Sequence, residues 1–212
     1  IEISDLLVDR GVKALVVACN SATSAALPTL QARYEIPVTG VVEPGTRAAA
    51  SVTRSGRVGV IGTVGTIASG AYQDAARNLG IELTCAACPG FVEFVEVGDV
   101  ESDQVHVLAE RMLAPMRAAK VDTLVLGCTH YPLLAHTIGD VMGRDVVLVS
   151  SADETAFAAR RGLGRVRDPD GAPGELIPTR EFITSGDADT FRRLGARFLG
   201  PEVGRVEAWQ WS

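Results

Sequence analysis

Short runs of Val, Ile and Leu, each followed by a segment of helical pattern, recur along this chain, and that alternation limits the possible folds more than any other feature. The clearest of these runs lie at 14–18, 38–42, 57–61, 82–86, 123–126 and 146–149. Strands covered on both faces read that way, as in parallel sheets with helices above and below. Between and after them, 21–34, 44–54, 68–79, 102–119, 133–142 and 152–160 carry helical periodicity. Ile3, Leu6 and Leu7 put residues 1–10 on the same footing. The βαβ order predicts an α/β fold with a mostly parallel sheet. Farther on, 167–174 is dense in Asp, Pro and Gly and reads as a loop. A late strand is expected within 176–185 and a last helix over 188–198, while 200–212 has no strong period.

Composition removes several classes of function. A formal net charge of −6 offers no electrostatic case for nucleic acid or for an anionic membrane surface. The apolar runs fall far short of the roughly 20 residues that a bilayer requires. Glu2, Asp5, Asp9 and Arg10 give the first residues the wrong charge pattern for a secretory signal, so a cytoplasmic location is expected. With 212 residues the chain can bury a core without covalent staples, and its four cysteines are therefore read as thiols.

Two of those thiols occupy equivalent places. The stretch Gly11-Val12-Lys13-Ala14-Leu15-Val16-Val17-Ala18-Cys19-Asn20 aligns with Lys120-Val121-Asp122-Thr123-Leu124-Val125-Leu126-Gly127-Cys128-Thr129, strand for strand and cysteine for cysteine. This predicts two similar, mostly parallel-sheet α/β halves related by a pseudo-twofold, with the active site in the cleft between them. Each thiol would then stand at a strand end where a helix begins, near unpaired N–H groups and the positive end of the helix dipole, a setting that favours thiolate. A lone cysteine there is more often a small apolar residue. Two facing cysteines suit inversion at carbon, where one group takes a proton from one face and another returns a proton to the opposite face.

Other polar residues carry weaker signals. His130 lies two positions beyond Cys128 and could hydrogen-bond the thiol, although a capping role explains it equally well. Cys85 and Cys88 form a Cys-x-x-Cys unit, but no second pair completes a zinc site and no redox context surrounds it, so structural thiols are expected. Gly59, Gly62 and Gly65 fit no phosphate-loop pattern and are explained by a tight strand-to-helix turn.

At these residues the chain resembles the glutamate racemases of the aspartate/glutamate racemase superfamily, most of all their actinobacterial branch. Val17-Ala18-Cys19-Asn20-Ser21-Ala22 is similar to the family's first cysteine motif, with Ser21 where threonine is usual. Leu126-Gly127-Cys128-Thr129-His130-Tyr131-Pro132-Leu133-Leu134 is similar to the second. Gly62-Thr63 with Thr66, the run Cys88–Val92 leading to Glu96, and Thr184-Ser185-Gly186-Asp187 match further family segments. The resemblance implies racemisation of glutamate without cofactor or metal, with Cys19 and Cys128 alternating as base and acid. It implies assistance from His130 and Glu96, and substrate contacts from Asn20, Ser21, Thr129, His130 and Thr63. It also implies residues 1–43 and 151–212 in one half and 44–150 in the other, a small-molecule substrate, a supply of D-glutamate for peptidoglycan, and leaves a homodimer open.

The family also has an amino-terminal glycine-rich segment carrying an Asp-Ser pair, and later a Pro-Tyr-Gly segment, neither of which occurs in this sequence. The expectation is that the first part of the first half is absent, which would expose a sheet edge and open the cleft to water. Whether the chain turns over as it stands is then a question for assay. Racemisation of aspartate or a hydantoin, and a fold retained without catalysis, are the competing readings.

Overall fold

A computed structural model describes residues 1–164 and 180–211. The described residues divide into two compact units, one of Ile1 and residues 3–164, the other of Glu2 and residues 180–211. The loop expected over 167–174 lies outside the described residues.

The first unit opens with α1 (Glu2–Asp9), β1 (Leu15–Val17), α2 (Asn20–Arg33) and β2 (Val38–Gly40), and β1 pairs with β2 in parallel. It continues through α3 (Val42–Val52), β3 (Arg57–Gly62), α4 (Val64–Ala68), α5 (Ala71–Ala76), β4 (Glu82–Ala87), α6 (Phe91–Val97), α7 (Asp103–Met112) and α8 (Ala114–Ala118). β5 (Thr123–Gly127), a 3-10 turn (Tyr131–Leu134), α9 (Ala135–Met142), β6 (Val147–Ser150) and α10 (Ala152–Leu163) complete it. Strands β3 to β6 form a second sheet, parallel throughout, in the order β4-β3-β5-β6. Fold class is thus as expected: α/β, with parallel sheets.

Alternation of side chains along the central strands explains why they are apolar without interruption. Val58, Val60 and Val125 point to one face of the sheet, where they pack with Val42, Ala49 and Tyr72. Ile61, Leu124 and Leu126 point to the other, where Phe91, Val105, Leu113, Met116, Tyr131 and Ile138 cover them. The smaller sheet has its own cluster, with Leu15, Leu30 and Val38 buried and Leu7, Val8 and Leu27 against them. Amphipathic α1 owes its place to that cluster.

The segments expected as single helices at 68–79 and 102–119 are each two. Gly70, at φ 73°, breaks the first between α4 and α5. In the second, Pro115 lacks an N–H and its ring crowds the preceding turn, and α7 ends at Met112 with α8 starting at Ala114. A helix not expected from the sequence, α6, is entered at Gly90 (φ 94°) and left at Gly98 (φ 83°), both in the left-handed region.

In the second unit, β7 (Phe182–Thr184) pairs in parallel with β8 (Val206–Ala208) around α11 (Ala188–Leu199) and a 3-10 turn (Gly200–Glu202). Asp187 caps α11 by accepting from the Thr190 N–H at 2.7 Å. β7 falls inside the strand expected at 176–185, and β8 lies in the tail that showed no period.

Candidate active site

Both cysteines of the internal match stand at the ends of parallel strands. Cys19 follows β1 and is the N-cap of α2, with φ −93° and ψ 128°, so the unpaired N–H groups of a 14-residue helix open beside it. Cys128 follows β5 directly and is buried, whereas Cys19 is exposed. β3 and β5 run with Gly62 opposite Gly127, two residues without side chains at the point where the strands deliver the site.

The environment of Cys128 combines opposing influences. Burial pushes its thiol above the ordinary value, and a negative charge on Cys19 pushes it the same way. The backbone N–H groups of His130 and Tyr131 and the Thr129 hydroxyl pull it down. Burial outweighs those donors, so the Cys128 thiol is held above its ordinary value, and a negative charge on Cys19 acts in the same direction.

His130 connects Cys128 to a carboxylate. Its Nδ1 lies 3.9 Å from the Cys128 Sγ and 3.4 Å from the Thr129 Oγ1, and its Nε2 lies 3.3 Å from the Glu96 Oε1. A carboxylate can only accept, so Glu96 selects the tautomer with the proton on Nε2 and leaves Nδ1 as an acceptor facing the thiol. Glu96 reaches this place because α6 exists.

A second polar cluster lies beside Cys19. The hydroxyls of Ser21, Thr63 and Thr66 form a triangle with sides of 2.8, 3.0 and 3.0 Å, tying the start of α2 to the start of α4. Asn20 is buried and accepts at Oδ1 from the Tyr72 hydroxyl at 2.7 Å. Thr23 donates to the Val17 carbonyl at 2.8 Å and accepts from the Val41 N–H at 3.3 Å, joining β1 to the segment after β2.

Asn20, Cys128 and Thr129 border a mostly apolar cleft of about 360 Å3. Ala18, Asn20, Cys128 and Thr129 line it from the strand ends, and Ser150, Ser151 and Thr155 line it from β6 and α10. Among the described residues no cluster of three His, Cys, Asp or Glu side chains is arranged to hold a metal ion. Cys85 and Cys88 lie in different surroundings: Cys85 packs in the cluster on one face of the sheet and Cys88 in the cluster on the other, which also holds Cys128. Burial pushes them up to about 11 and about 12 respectively.

The structure thus brings Cys128, Thr129, His130 and Glu96 into one group and Ser21 and Thr63 into another, while Asn20 lines the cleft with Cys128 and Thr129. Tyr72 and Thr155 were not singled out from the sequence. Tyr72 sits in an ordinary helical pattern, and only the long-range contact to Asn20 marks it.

Residues 2–159 match the family model described as Asp/Glu/Hydantoin racemase. The chain belongs to the Asp/Glu/hydantoin racemase family. Among members of that family, the glutamate racemase of Parafrankia sp. is 54% identical over 206 residues, covering 95% of this chain and 73% of that protein. Glutamate racemase of Mycobacterium tuberculosis is 52% identical over 209 residues, covering 97% and 76%. The crystal structure of a glutamate racemase isoform from Bacillus anthracis superposes with a TM-score of 0.87 at 37% identity, covering all of this chain and 78% of that one. That of the Francisella tularensis glutamate racemase, in complex with D-glutamate, gives 0.85 at 28% identity, covering 98% and 77%. Among the described residues no helix is long and apolar enough to cross a membrane.

Proposed function

We propose that this chain interconverts L- and D-glutamate by a two-thiol, cofactor-independent mechanism. One thiolate removes the α-proton from one face while the opposite thiol protonates the other, and the roles exchange in the reverse direction. The observation that carries the reading is the placement of Cys19 and Cys128, each at a strand end of its own sheet, in a chain more than half identical to glutamate racemases. A negative charge on Cys19 disfavours ionisation of Cys128, which suits the pair to act as one base and one acid. His130, oriented by Glu96, takes up or returns the Cys128 proton. Asn20, Ser21, Thr63 and Thr129 hold the substrate's polar groups.

Family membership and the identity to glutamate racemases favour glutamate over aspartate or a hydantoin. The same reading extends to a cytoplasmic enzyme that supplies D-glutamate for peptidoglycan, with a homodimer as the assembly to test by light scattering. Lobes of 1–43 with 151–212, and of 44–150, belong to this proposal.

The test is circular-dichroism detection of racemisation with L-glutamate, D-glutamate, L-aspartate and a chiral hydantoin supplied separately. Turnover of both glutamate enantiomers, lost by more than a thousandfold in Cys19→Ser and in Cys128→Ser, is expected. Turnover of aspartate or hydantoin in preference to glutamate would replace the substrate, and full activity of either variant would remove the two-thiol mechanism.

A further inference from the structure

We infer that Tyr72 is a positioning residue for this reaction: its hydroxyl fixes the Asn20 side-chain amide with the NH2 toward the cleft, so that a pair of donors meets an anionic substrate group. The inference rests on the glutamate racemase reading and adds a specificity element to it.

Tyr72 lies in α5 and is 1% exposed. Its hydroxyl donates to the Asn20 Oδ1 at 2.7 Å, a contact between residues far apart in sequence and wholly inside the protein. Burial holds the phenol proton on, with negative charge on Cys128 and Cys85 acting in the same direction, so this hydroxyl remains a donor throughout the working pH range. An amide turned the other way would set Nδ2 against the phenol oxygen and leave the phenol proton without that acceptor, which is the costlier arrangement in a buried site. With Oδ1 held by Tyr72, Nδ2 is the other end of the same planar group, and Asn20 lines the cleft. A carboxylate is the ligand that two N–H donors recognise.

The same ring touches the other thiol segment. A Cβ placed on Gly127 would stand 3.2 Å from both the Tyr72 Cε2 and its hydroxyl, so the ring lies against the backbone immediately before Cys128. Tyr72 therefore bears on the residue after one cysteine and the residue before the other. Separate movement of the two strand ends disturbs one contact or the other, and the amide that meets the substrate is registered to both thiols.

The experiment is a double-mutant cycle of Tyr72→Phe and Asn20→Ala, read as KM and kcat for L-glutamate. Hydrogen exchange of the Asn20 side-chain NH2 is followed alongside by NMR in ligand-free protein. Tyr72→Phe is expected to raise KM about tenfold with a smaller change in kcat, and to have no further effect on KM once Asn20 is alanine. The wild-type NH2 is expected to exchange rapidly with cleft water. An equal Tyr72→Phe effect in both backgrounds would make Tyr72 structural, and slow, protected exchange would place the NH2 against Tyr72; either overturns the inference. If the wild type does not turn over glutamate, the functional reading fails on its own, and the exchange measurement still decides the orientation of the amide.

Discussion

Replacing Gly127 by alanine tests how the second thiol is placed. A Cβ there would lie 2.6 Å from the Ile61 carbonyl oxygen on β3, and 3.2 Å from the ring edge and hydroxyl of Tyr72. The carbonyl belongs to the backbone at fully buried Ile61 and cannot rotate away, so β5 must separate from β3 by roughly half an ångström. Overpacking of this kind costs about 1–3 kcal/mol. At about 2–4 °C per kcal/mol for a chain of this size, the melting temperature falls by roughly 2–12 °C. Cys128 is the next residue, and because misplacement of a reacting group by about 1 Å can cost two orders of magnitude, kcat/KM falls by about tenfold or more. Gly65→Ala is the control, since nothing lies within 4 Å of the Cβ it would gain. It sits in α4, where alanine gains up to about 1 kcal/mol over glycine. Thermal denaturation by circular dichroism and steady-state racemisation measure both effects. A Gly127→Ala protein that melts with the wild type and keeps its kcat/KM would refute the argument from strand spacing.

Three further outcomes follow from individual groups. Asp122 accepts from the Thr53 hydroxyl at 2.6 Å and from the N–H groups of Arg54 and Ser55 at 2.9 and 2.6 Å. Burial opposes its charge, but those hydrogen bonds outweigh it and hold the carboxyl well below its usual range. Its contribution is therefore present above the unfolded-state value near pH 4 and is lost as pH falls through the folded value. Asp122→Asn should cost about 1–2 kcal/mol at neutral pH in urea titrations, with the difference from wild type shrinking below about pH 4. Glu96→Gln removes the carboxylate that orients His130 and should lower kcat about tenfold while leaving the melting temperature unchanged, since Glu96 is largely exposed. Alkylation by iodoacetamide should modify exposed Cys19 before buried Cys128, and the pH midpoint for Cys128 should lie above that of a free thiol. In Cys19→Ser that midpoint should move down, because one of the charges opposing ionisation is gone; an unchanged midpoint would mean the thiols are not coupled.

The strands and the two cysteines were legible because their signals are local. A continuously apolar run such as Val58–Ile61 states its burial on both faces without reference to the rest of the chain, and the match of Ala14–Cys19 with Thr123–Cys128 needs only an internal alignment. What escaped depends on partners distant in sequence or on short elements. α6 has seven residues, too few to establish a period, although Gly90 and Gly98 bound it as left-handed glycines can. β8 has three residues and is specified by pairing with β7. Tyr72 reads as one apolar position of a helix, and its role appears only when Asn20 lies opposite it. The Ser21, Thr63 and Thr66 triangle is of the same kind, since two of its three sides join segments about forty residues apart.

The decisive measurement is the position of deuterium during racemisation in D2O, followed by NMR at low conversion from each enantiomer in turn. Two opposed thiols predict that the product enantiomer carries deuterium at the α-carbon while the unreacted substrate keeps its protium, from either direction. Product that retains the substrate's own proton, or residual substrate that gains deuterium as fast as product forms, would place one group on both steps and contradict the pairing of Cys19 with Cys128.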